Sequence, residues 1–410
     1  MANILSTDEI ITAIDIGTTK IIVLVARKLS NESLEVIGIG KSPSHGLQKG
    51  VVVDVGKTVH ALRSAIKEAE IMANITIETV AVGIAGNHIK SVNSHGVIPI
   101  KKNYIQQSDI DTVLAAAKAI PLDKTDKLLH VFPQWFVIDG AKSVANPLGM
   151  HGIRLEVHTH MILGSVASVC DIVQCCQQAG VSVNNVILEP VASAYAVLTP
   201  DEQSLGIALL DIGGGTTDLA LFHRSAIRHT FVLPIAGSHL TQDIAIGLRT
   251  PLEKAELIKK EHGLASVLSL QKDNFFQIDQ IQQENNHQLI CLSDIIRIIQ
   301  PRIGEMLLLI KKEIDTQNLQ PFMTTGMVIT GGGSLLKGID TYAEHIFKAP
   351  IRLGKPHVIY DLPESLRHPM YATSYGLLLY VLLQNKKEII RGTLTERVSH
   401  YMKKWITDIF

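Results

Sequence analysis

Two stretches of the chain carry residues whose types suit holding a chain of phosphates. The first is Asp15-Ile16-Gly17-Thr18-Thr19-Lys20, and the second is Asp211-Ile212-Gly213-Gly214-Gly215-Thr216-Thr217. Phosphates bind where several backbone N–H groups converge and side chains stay clear, which Gly and Thr at a tight turn allow. The Thr hydroxyls add donors, and Lys20 adds a point charge for a phosphate oxygen. Asp15 and Asp211 cannot ligate phosphate, because like charges repel. They suit a hydrated Mg²⁺, which keeps waters and takes one or two carboxylates. One copy alone would read as an ordinary Gly-turn hairpin with Asp as turn former. Two copies in the same context favour a clamp with paired acids. A third stretch, Met327 to Asp340, reads as a strand, then Gly331-Gly332-Gly333, then a helix whose N-terminus offers a positive dipole.

Other chemistries lack their motifs. There is no GxxxxGK[ST], GxGxxG, HExxH or GxSxG. His158 and His160 could share one strand face as a metal pair, but two ligands without a third are weak support. They are read as strand histidines in packing or at a surface.

The elements around these loops follow from the same pattern. Each Asp-Ile-Gly stretch is flanked by apolar runs, Thr12 to Ala26 and Ile207 to Phe222, which predicts strand, turn, strand. The two copies lie nearly half the chain apart, so they imply two similar facing halves rather than a short tandem repeat. Helical patterns at Val55 to Ala73 and Ser165 to Gly180, the latter followed by a strand at Val183 to Leu188, alternate with strands and predict an α/β fold. Thr250-Pro251-Leu252-Glu253 reads as Thr at the N-cap, Pro at N1 and Glu closing a capping box, with a helix to Glu261. Residues 85–164 carry strand-like and helical runs enough for a small inserted α+β subdomain. Residues 264–290, rich in Gln and Asn, read as a poorly packed hairpin or loop, and 386–397 as a linker.

Composition narrows the class. The chain has 410 residues, 46% hydrophobic and 19% charged, with net charge −1. That is ordinary globular composition with no polyelectrolyte surface for nucleic acid. Cys170, Cys175, Cys176 and Cys291 have neither CxxC spacing nor a disulfide framework, and read as reduced thiols of a cytosolic protein. The first residues lack the bases and apolar core of a signal peptide. The run Gly376 to Leu383 is far shorter than the roughly 20 residues of a spanning helix. The expectation is a chain neither secreted nor membrane-spanning.

Together the loops DIGTTK, DIGGGTTDLA and TGGGSLLKG resemble the two phosphate loops and the adenosine loop of the actin-like ATPase superfamily. The resemblance implies ATP and Mg²⁺ between the two halves. It makes Gly331, Gly332, Gly333 and Leu335 adenosine contacts. Ile187 to Leu198 looks like that family's first connecting segment, with Glu189 where related bacterial filaments place a water-orienting acid; the resemblance makes Glu189 and Asp211 the candidate catalytic residues. AELIKKEHG resembles the helix flanking the adenine, with Glu256 and Lys259 as contacts. Within the superfamily, the position of the insert and its run Asn146 to Glu156 (NPLGMHGIRLE) resemble the FtsA family of bacterial cell-division proteins. SVANPL departs slightly from that family's pattern, and Gln300 precedes PRIGEM where the family has Glu.

That resemblance implies a division of the chain. Residues 1–84, 165–205 and 357–385 would form the first half, and 206–240 with 322–356 the second. Residues 85–164 would serve self-assembly and recruitment of later division proteins. Residues 241–321 would flank the adenine and dock the tail of the tubulin-like FtsZ. After the linker, 398–410 would be a membrane-targeting helix. On a helical wheel Val398, Tyr401, Met402, Trp405, Ile406, Ile409 and Phe410 fall within one half of the circumference, opposite His400, Lys404 and Thr407. That describes an interfacial helix, although a helix docked on its own body has the same periodicity. The linker and the family resemblance favour the membrane. Half-immersed apolar side chains contribute about 1 kcal/mol each, and ordering costs on the order of 1 kcal/mol per residue. One tail would therefore hold weakly, and a filament of tails firmly. The resemblance thus implies an ATP-binding adaptor on the cytoplasmic face of the inner membrane at the division septum, with at most slow hydrolysis. The rival expectations are a phosphotransferase or ATPase whose tail packs on its own body, and a pilus-assembly adaptor, which leaves the tail unexplained.

Overall fold

Each Asp-Ile-Gly stretch ends one strand and returns in the next, and each hairpin seeds a sheet. The computed structural model describes residues 9–29, 33–270, 275–279, 287–357 and 362–391. In the first sheet Ile10–Ile16 pairs antiparallel with Lys20–Lys28, which pairs antiparallel with Leu34–Pro43. On its other side Ile10–Ile16 runs parallel to Thr79–Ile84, and that strand parallel to Ser182–Leu188. The second sheet repeats this order: Ala226–Leu233, Thr217–His223, Ile207–Ile212, Met327–Thr330, Ile351–Leu353, with the last two pairings parallel. The strand Ile207–Ile212 is buried along its whole length, as a strand covered on both faces must be.

Helix positions follow the expected periodicity closely. The helix Val55–Ala73 is capped by Asp54, whose side chain accepts from Lys57 N–H, and ends at Asn74 in the left-handed region. The helix Val166–Ala179 starts after Ser165, which accepts from Ser168 N–H, and ends at Gly180. The second half holds the amphipathic helix Leu292–Thr316, whose buried stripe includes Ile295, Ile299, Ile303, Met306, Leu307 and Ile310.

The insert is a four-stranded sheet ordered Lys90–Pro99, Arg154–Ser165, Asp126–Ile138, Lys142–Val144, with the helix Gln107–Lys118 against it. It has its own core around Ile105, Val113, Leu155 and Val157. It also leans on the edge strand Ala226–Leu233 of the second sheet. Ser91 Oγ donates to Thr230 O at 3.0 Å, and Gln134 Nε2 donates to Ile227 O at 2.9 Å and Arg228 O at 3.1 Å.

Three local expectations need correction. Thr250 is not an N-cap: Pro251, in extended backbone, takes that place ahead of the helix Leu252–His262, and no side chain caps it. With Pro251 at the cap, Thr250 is drawn into the interior, buried at 1% exposure. The glycines after Met327–Thr330 enter a 3-10 turn, Gly332–Leu335, and the α-helix begins only at Ile339. No full helix dipole therefore points from that loop. The helix Ala372–Arg391 runs into the expected linker, so residues 386–391 are helical. The segment 264–290 contains the hairpin Phe275–Asp279 with His287–Cys291. The tail 398–410 lies outside the described residues. No described helix is long and apolar enough to cross a membrane.

The helices Glu189–Val197 and Ala372–Arg391 cross beneath both loops, and their contact is backbone on backbone. A Cβ at Gly376 would stand 1.9 Å from Ala192 O. Gly376→Val should therefore lower stability by about 1–3 kcal/mol despite valine's better helix propensity. Urea denaturation of the purified chain checks this; an unchanged midpoint would mean the crossing has room to spare.

Candidate functional site

Both Asp-Ile-Gly stretches make the same turn. Gly17 N–H donates to Lys20 O at 3.0 Å, and Gly213 N–H donates to Thr216 O at 2.9 Å. The two turns meet tip to tip. A Cβ at Gly214 would lie 2.5 Å from Thr19 Cγ2, and one at Gly215 would lie 2.3 Å from Thr18 Oγ1. Glycine is needed here for close approach rather than for its backbone freedom. Gly331 joins them with φ +84, and a Cβ there would stand 2.2 Å from Asp211 Oδ1.

Behind the tips, carboxylates gather around one lysine. Asp15, Asp211 and Asp218 are buried, and Glu189 opens the helix Glu189–Val197 beside them, half-buried. Burial raises the Asp15 pKa to about 6, against the pull of Lys20 and with the push of Asp211. Burial and the Asp211 charge raise Asp218 to about 8. Burial, then Asp15, Asp218 and Asp211, push Glu189 well above the usual carboxylate range. Asp211 is also raised by burial, though Ser193 and Thr373 offset this: Ser193 Oγ donates to its Oδ2 at 2.6 Å and Thr373 Oγ1 at 3.2 Å. Lys20 Nζ donates to Met370 O at 2.7 Å, and burial lowers its pKa while Asp15 and Asp211 oppose the shift. Thr216 Oγ1 donates to Asp218 Oδ2 at 3.0 Å, but the buried Asp218 Oδ1 has no partner among the described residues.

A second group joins from the side. The helix Gly237–Leu248 starts against the second turn, where Gly237 N–H donates to Gly213 O at 3.1 Å and Ser238 N–H to Gly214 O at 2.8 Å. Lys259 Nζ donates to Gly237 O at 3.0 Å and Thr241 Oγ1 at 2.8 Å, and pairs with Glu256 Oε2 at 2.6 Å. Thr241 Oγ1 also donates to Glu256.

The fold therefore brings together Asp15, Gly17 to Lys20, Glu189, Asp211, Gly213 to Thr216 and Gly331, with Glu256 and Lys259 reached through Gly237. Gly332 meets nothing that would stop an added side chain, while Gly333 packs against Ile212. Leu335 is exposed. Thr217 departs from expectation. Its hydroxyl donates to Ile235 O at 2.7 Å inside the second half, because as a strand residue it turns inward. It is not a free donor for phosphate. Tyr401, Met402, Trp405, Ile406, Ile409 and Phe410 lie outside the described residues.

Sequence reasoning missed Asp218, Ser193 and Thr373. Asp218 was within reach: counting strand register back across the turn pairs it with Asp211. Ser193 and Thr373 are joined only by the fold, being 180 positions apart.

The family model described as Cell division protein FtsA matches residues 208–376, and one described as the SHS2 domain inserted in FTSA matches 86–163. The chain is 41% identical to the cell division protein FtsA of Pseudomonas aeruginosa over 374 residues, 91% of this chain and 89% of that protein. It is 36% identical to that of Neisseria meningitidis, covering 98% of each, and 33% identical to that of Escherichia coli K12, covering 97% and 96%. Among solved structures, the PilM-PilN type IV pilus biogenesis complex is similar at TM-score 0.64 and 17% identity, over 91% of this chain and 98% of that one. MreB5 of Spiroplasma citri bound to ADP is similar at TM-score 0.57 and 15% identity, over 94% and 99%. These likenesses fit the duplicated sheets: the fold is actin-like.

The crowded carboxylates make a pH prediction. In the nucleotide-free chain Asp15 and Asp218 keep protons up to about pH 6 and 8, whereas unfolded aspartate loses its proton near about 3.9. Their contribution to stability is full below that value and is lost as pH rises through 6 and 8. Asp218→Asn should flatten this decline and raise stability at pH 8 by on the order of 1–3 kcal/mol, because asparagine stays neutral and each pH unit of the decline is worth about 1.4 kcal/mol. Urea denaturation at pH 5 and pH 8 reads it; equal slopes for both proteins would show that Asp218 titrates normally.

Proposed function

The chain belongs to the FtsA family of cell-division proteins, and from that premise we propose that it is an ATP-binding, actin-like adaptor that assembles at the membrane of a dividing cell. One observation carries the reading: the two Asp-Ile-Gly turns meet tip to tip over Asp15 and Asp211, in a chain that also holds the family's insert. The residues present fit Mg-ATP. Only glycine permits the approach at Gly214 and Gly215, Asp15 and Asp211 feel the charge of Lys20, and Asp218 and Glu189 crowd against them, with Asp218 Oδ1 unpartnered among the described residues.

In this reading the turns Gly17 to Lys20 and Gly213 to Thr216 would hold the phosphates through the N–H groups left over once Gly17 and Gly213 have closed their own turns, and Lys20 would supply positive charge. Asp15 and Asp211 would hold Mg²⁺ through waters, and the ion would supply charge to offset the phosphates. Glu189 would orient a water as the candidate base, and hydrolysis in this reading is slow at most. Glu256, Lys259, Gly331, Gly332, Gly333 and Leu335 flank the nucleoside. Because these residues come from both halves, holding a nucleotide would favour one arrangement of the halves, and in this reading that arrangement polymerises.

Assembly then serves attachment. The helix 398–410 binds the inner membrane weakly by itself and firmly in a filament. An open surface groove of about 540 Å³ lined by Ala245, Ile246, Thr250 and Leu252, with Arg249 at its side, supports docking of the FtsZ tail on 241–321. The exposed Tyr104, Leu148 and Ile153 of the insert support its part in self-assembly and in recruiting later division proteins.

Gly215→Val should weaken binding of a fluorescent ATP analogue at least tenfold without changing the far-UV circular dichroism, since the added side chain fills the space between the turns. Undiminished binding would remove the two-loop clamp. Liposome co-sedimentation tests the rest. The full chain should pellet, more so with Mg-ATP, while a chain ending at Thr395 stays in solution; equal behaviour of both would overturn the membrane role of the tail.

A further inference from the structure

The insert carries a cluster of side chains that the cleft does not use. Glu156 and His158 stand two apart on the strand Arg154–Ser165 and so share a face. His158 pairs directly opposite His95 on the neighbouring strand Lys90–Pro99. One potential ligand atom from each of His95, Glu156 and His158 lies within 4.8 Å of the other two. Sequence reading set His158 and His160 aside for want of a third ligand. His160 is committed elsewhere, to Asn93 Oδ1 at 2.8 Å and Thr230 Oγ1 at 2.9 Å. The missing ligands come instead from Glu156 and, across the sheet, from His95.

The surroundings look prepared. Arg154 Nη2 holds Glu156 Oε1 at 2.9 Å, which leaves Oε2 turned to His95 Nε2, also at 2.9 Å. A partner that fixes one carboxylate oxygen while presenting the other is the usual outer support of a metal ligand. The His158 ring stacks on Trp135 at 4.4 Å, which gives the site one apolar wall. His95 is exposed, so the site opens to solvent.

We propose that His95, Glu156 and His158 form a binding site for Zn²⁺ or a similar transition dication, with the remaining coordination position left to water or to a ligand from a partner. Two imidazoles and one carboxylate are the donor set of such metals, not of Mg²⁺ or Ca²⁺, which take oxygen. A tetrahedral zinc with bonds of about 2.0–2.2 Å sets its ligand atoms about 3.4 Å apart, so His95 Nε2 and Glu156 Oε2 would open from 2.9 Å while wider spacings close, within reach of side-chain rotation on a fixed sheet. Arg154 and Arg228 add positive charge nearby, which disfavours a cation held by charge alone and selects one held by imidazole nitrogen. The position gives the metal leverage. Trp135, stacked on His158, also lies 4.4 Å from the Arg228 guanidinium of the second half. A metal that fixes His158 fixes this run of rings, and tightens the seat of the insert on the strand Ala226–Leu233.

The test uses the full nucleotide-free chain in excess Mg²⁺. Zn²⁺ is titrated against a chromogenic chelator, and Co²⁺ spectra report coordination. One equivalent should bind with micromolar or tighter affinity, undisplaced by Mg²⁺, and Co²⁺ should show the intense visible bands of a four-coordinate site. His95→Ala and His158→Ala, with unchanged circular dichroism, should each weaken that equivalent at least tenfold. Cys291→Ser, which removes a thiol lying 2.9 Å from Asp294, should keep it. If His158→Ala unsettles the sheet, the exposed His95→Ala decides alone. The absence of a saturable equivalent, its survival in His95→Ala, or its loss in Cys291→Ser would each overturn the proposal.

Discussion

The architecture turns on a repulsion. Asp15, Asp211, Asp218 and Glu189 are held close together in a largely buried space, and Lys20 is set against Asp15 and Asp211. Such a group costs stability when all its members are charged. The fold meets the cost in part with hydroxyls: Ser193 and Thr373 on Asp211, Thr216 on Asp218. What they leave over is protonated or is left for a bound cation. The helices that bring Ser193 and Thr373 also meet at Gly376, so the electrostatics of the cleft and one of the tightest backbone contacts among the described residues rest on the same two elements.

The strand-turn-strand stretches were readable because their signal is local. An apolar run, an Asp, a Gly-rich turn and a second apolar run dictate a hairpin wherever they occur, and two such hairpins imply two sheets. The same locality fixed the helix Val55–Ala73 to the residue, through Asp54 at one end and Asn74 at the other. Locality failed where a neighbour outside the segment decided. Thr250 was drawn inward while Pro251 took its place at the cap, and Thr217 spent its hydroxyl on Ile235 O because a strand residue must face one side or the other. The pairing of Ser193 with Thr373 is invisible to any window of sequence. Asp218 is the instructive case between these extremes, because hairpin register alone sets it opposite Asp211.

The insert is likewise more than an appendage of the segment it interrupts. It enters after Thr79–Ile84 and leaves into Val166–Ala179, both part of the first half, yet its hydrogen bonds reach Ile227, Arg228 and Thr230 of the second. That contact is rich in side-chain-to-backbone bonds and in His, Gln and Ser. Interfaces of that composition separate and re-form more readily than hydrophobic ones. Any movement of one half against the other must therefore be accommodated at this seam, and the insert can transmit a change in the cleft to the outer surface.

The last helix also has a consequence for how the molecule is made. The core of the first half includes Ile14, Leu24 and Val82 from the start of the chain and Leu366, Tyr375 and Leu378 from near its end, and Lys20 bonds to Met370 across 350 positions. The second half draws its core from Ala208 to Ile339 and a few neighbours, all in one continuous stretch. During synthesis that continuous stretch can close on itself while the earlier strands still lack their final helix. Contacts so distant in sequence are slow to form, and an incomplete core exposes apolar strands in the meantime. The part of the protein that leaves the ribosome first is thus the part that finishes last. A chain cut short before residue 372 would carry an open sheet rather than a smaller working protein.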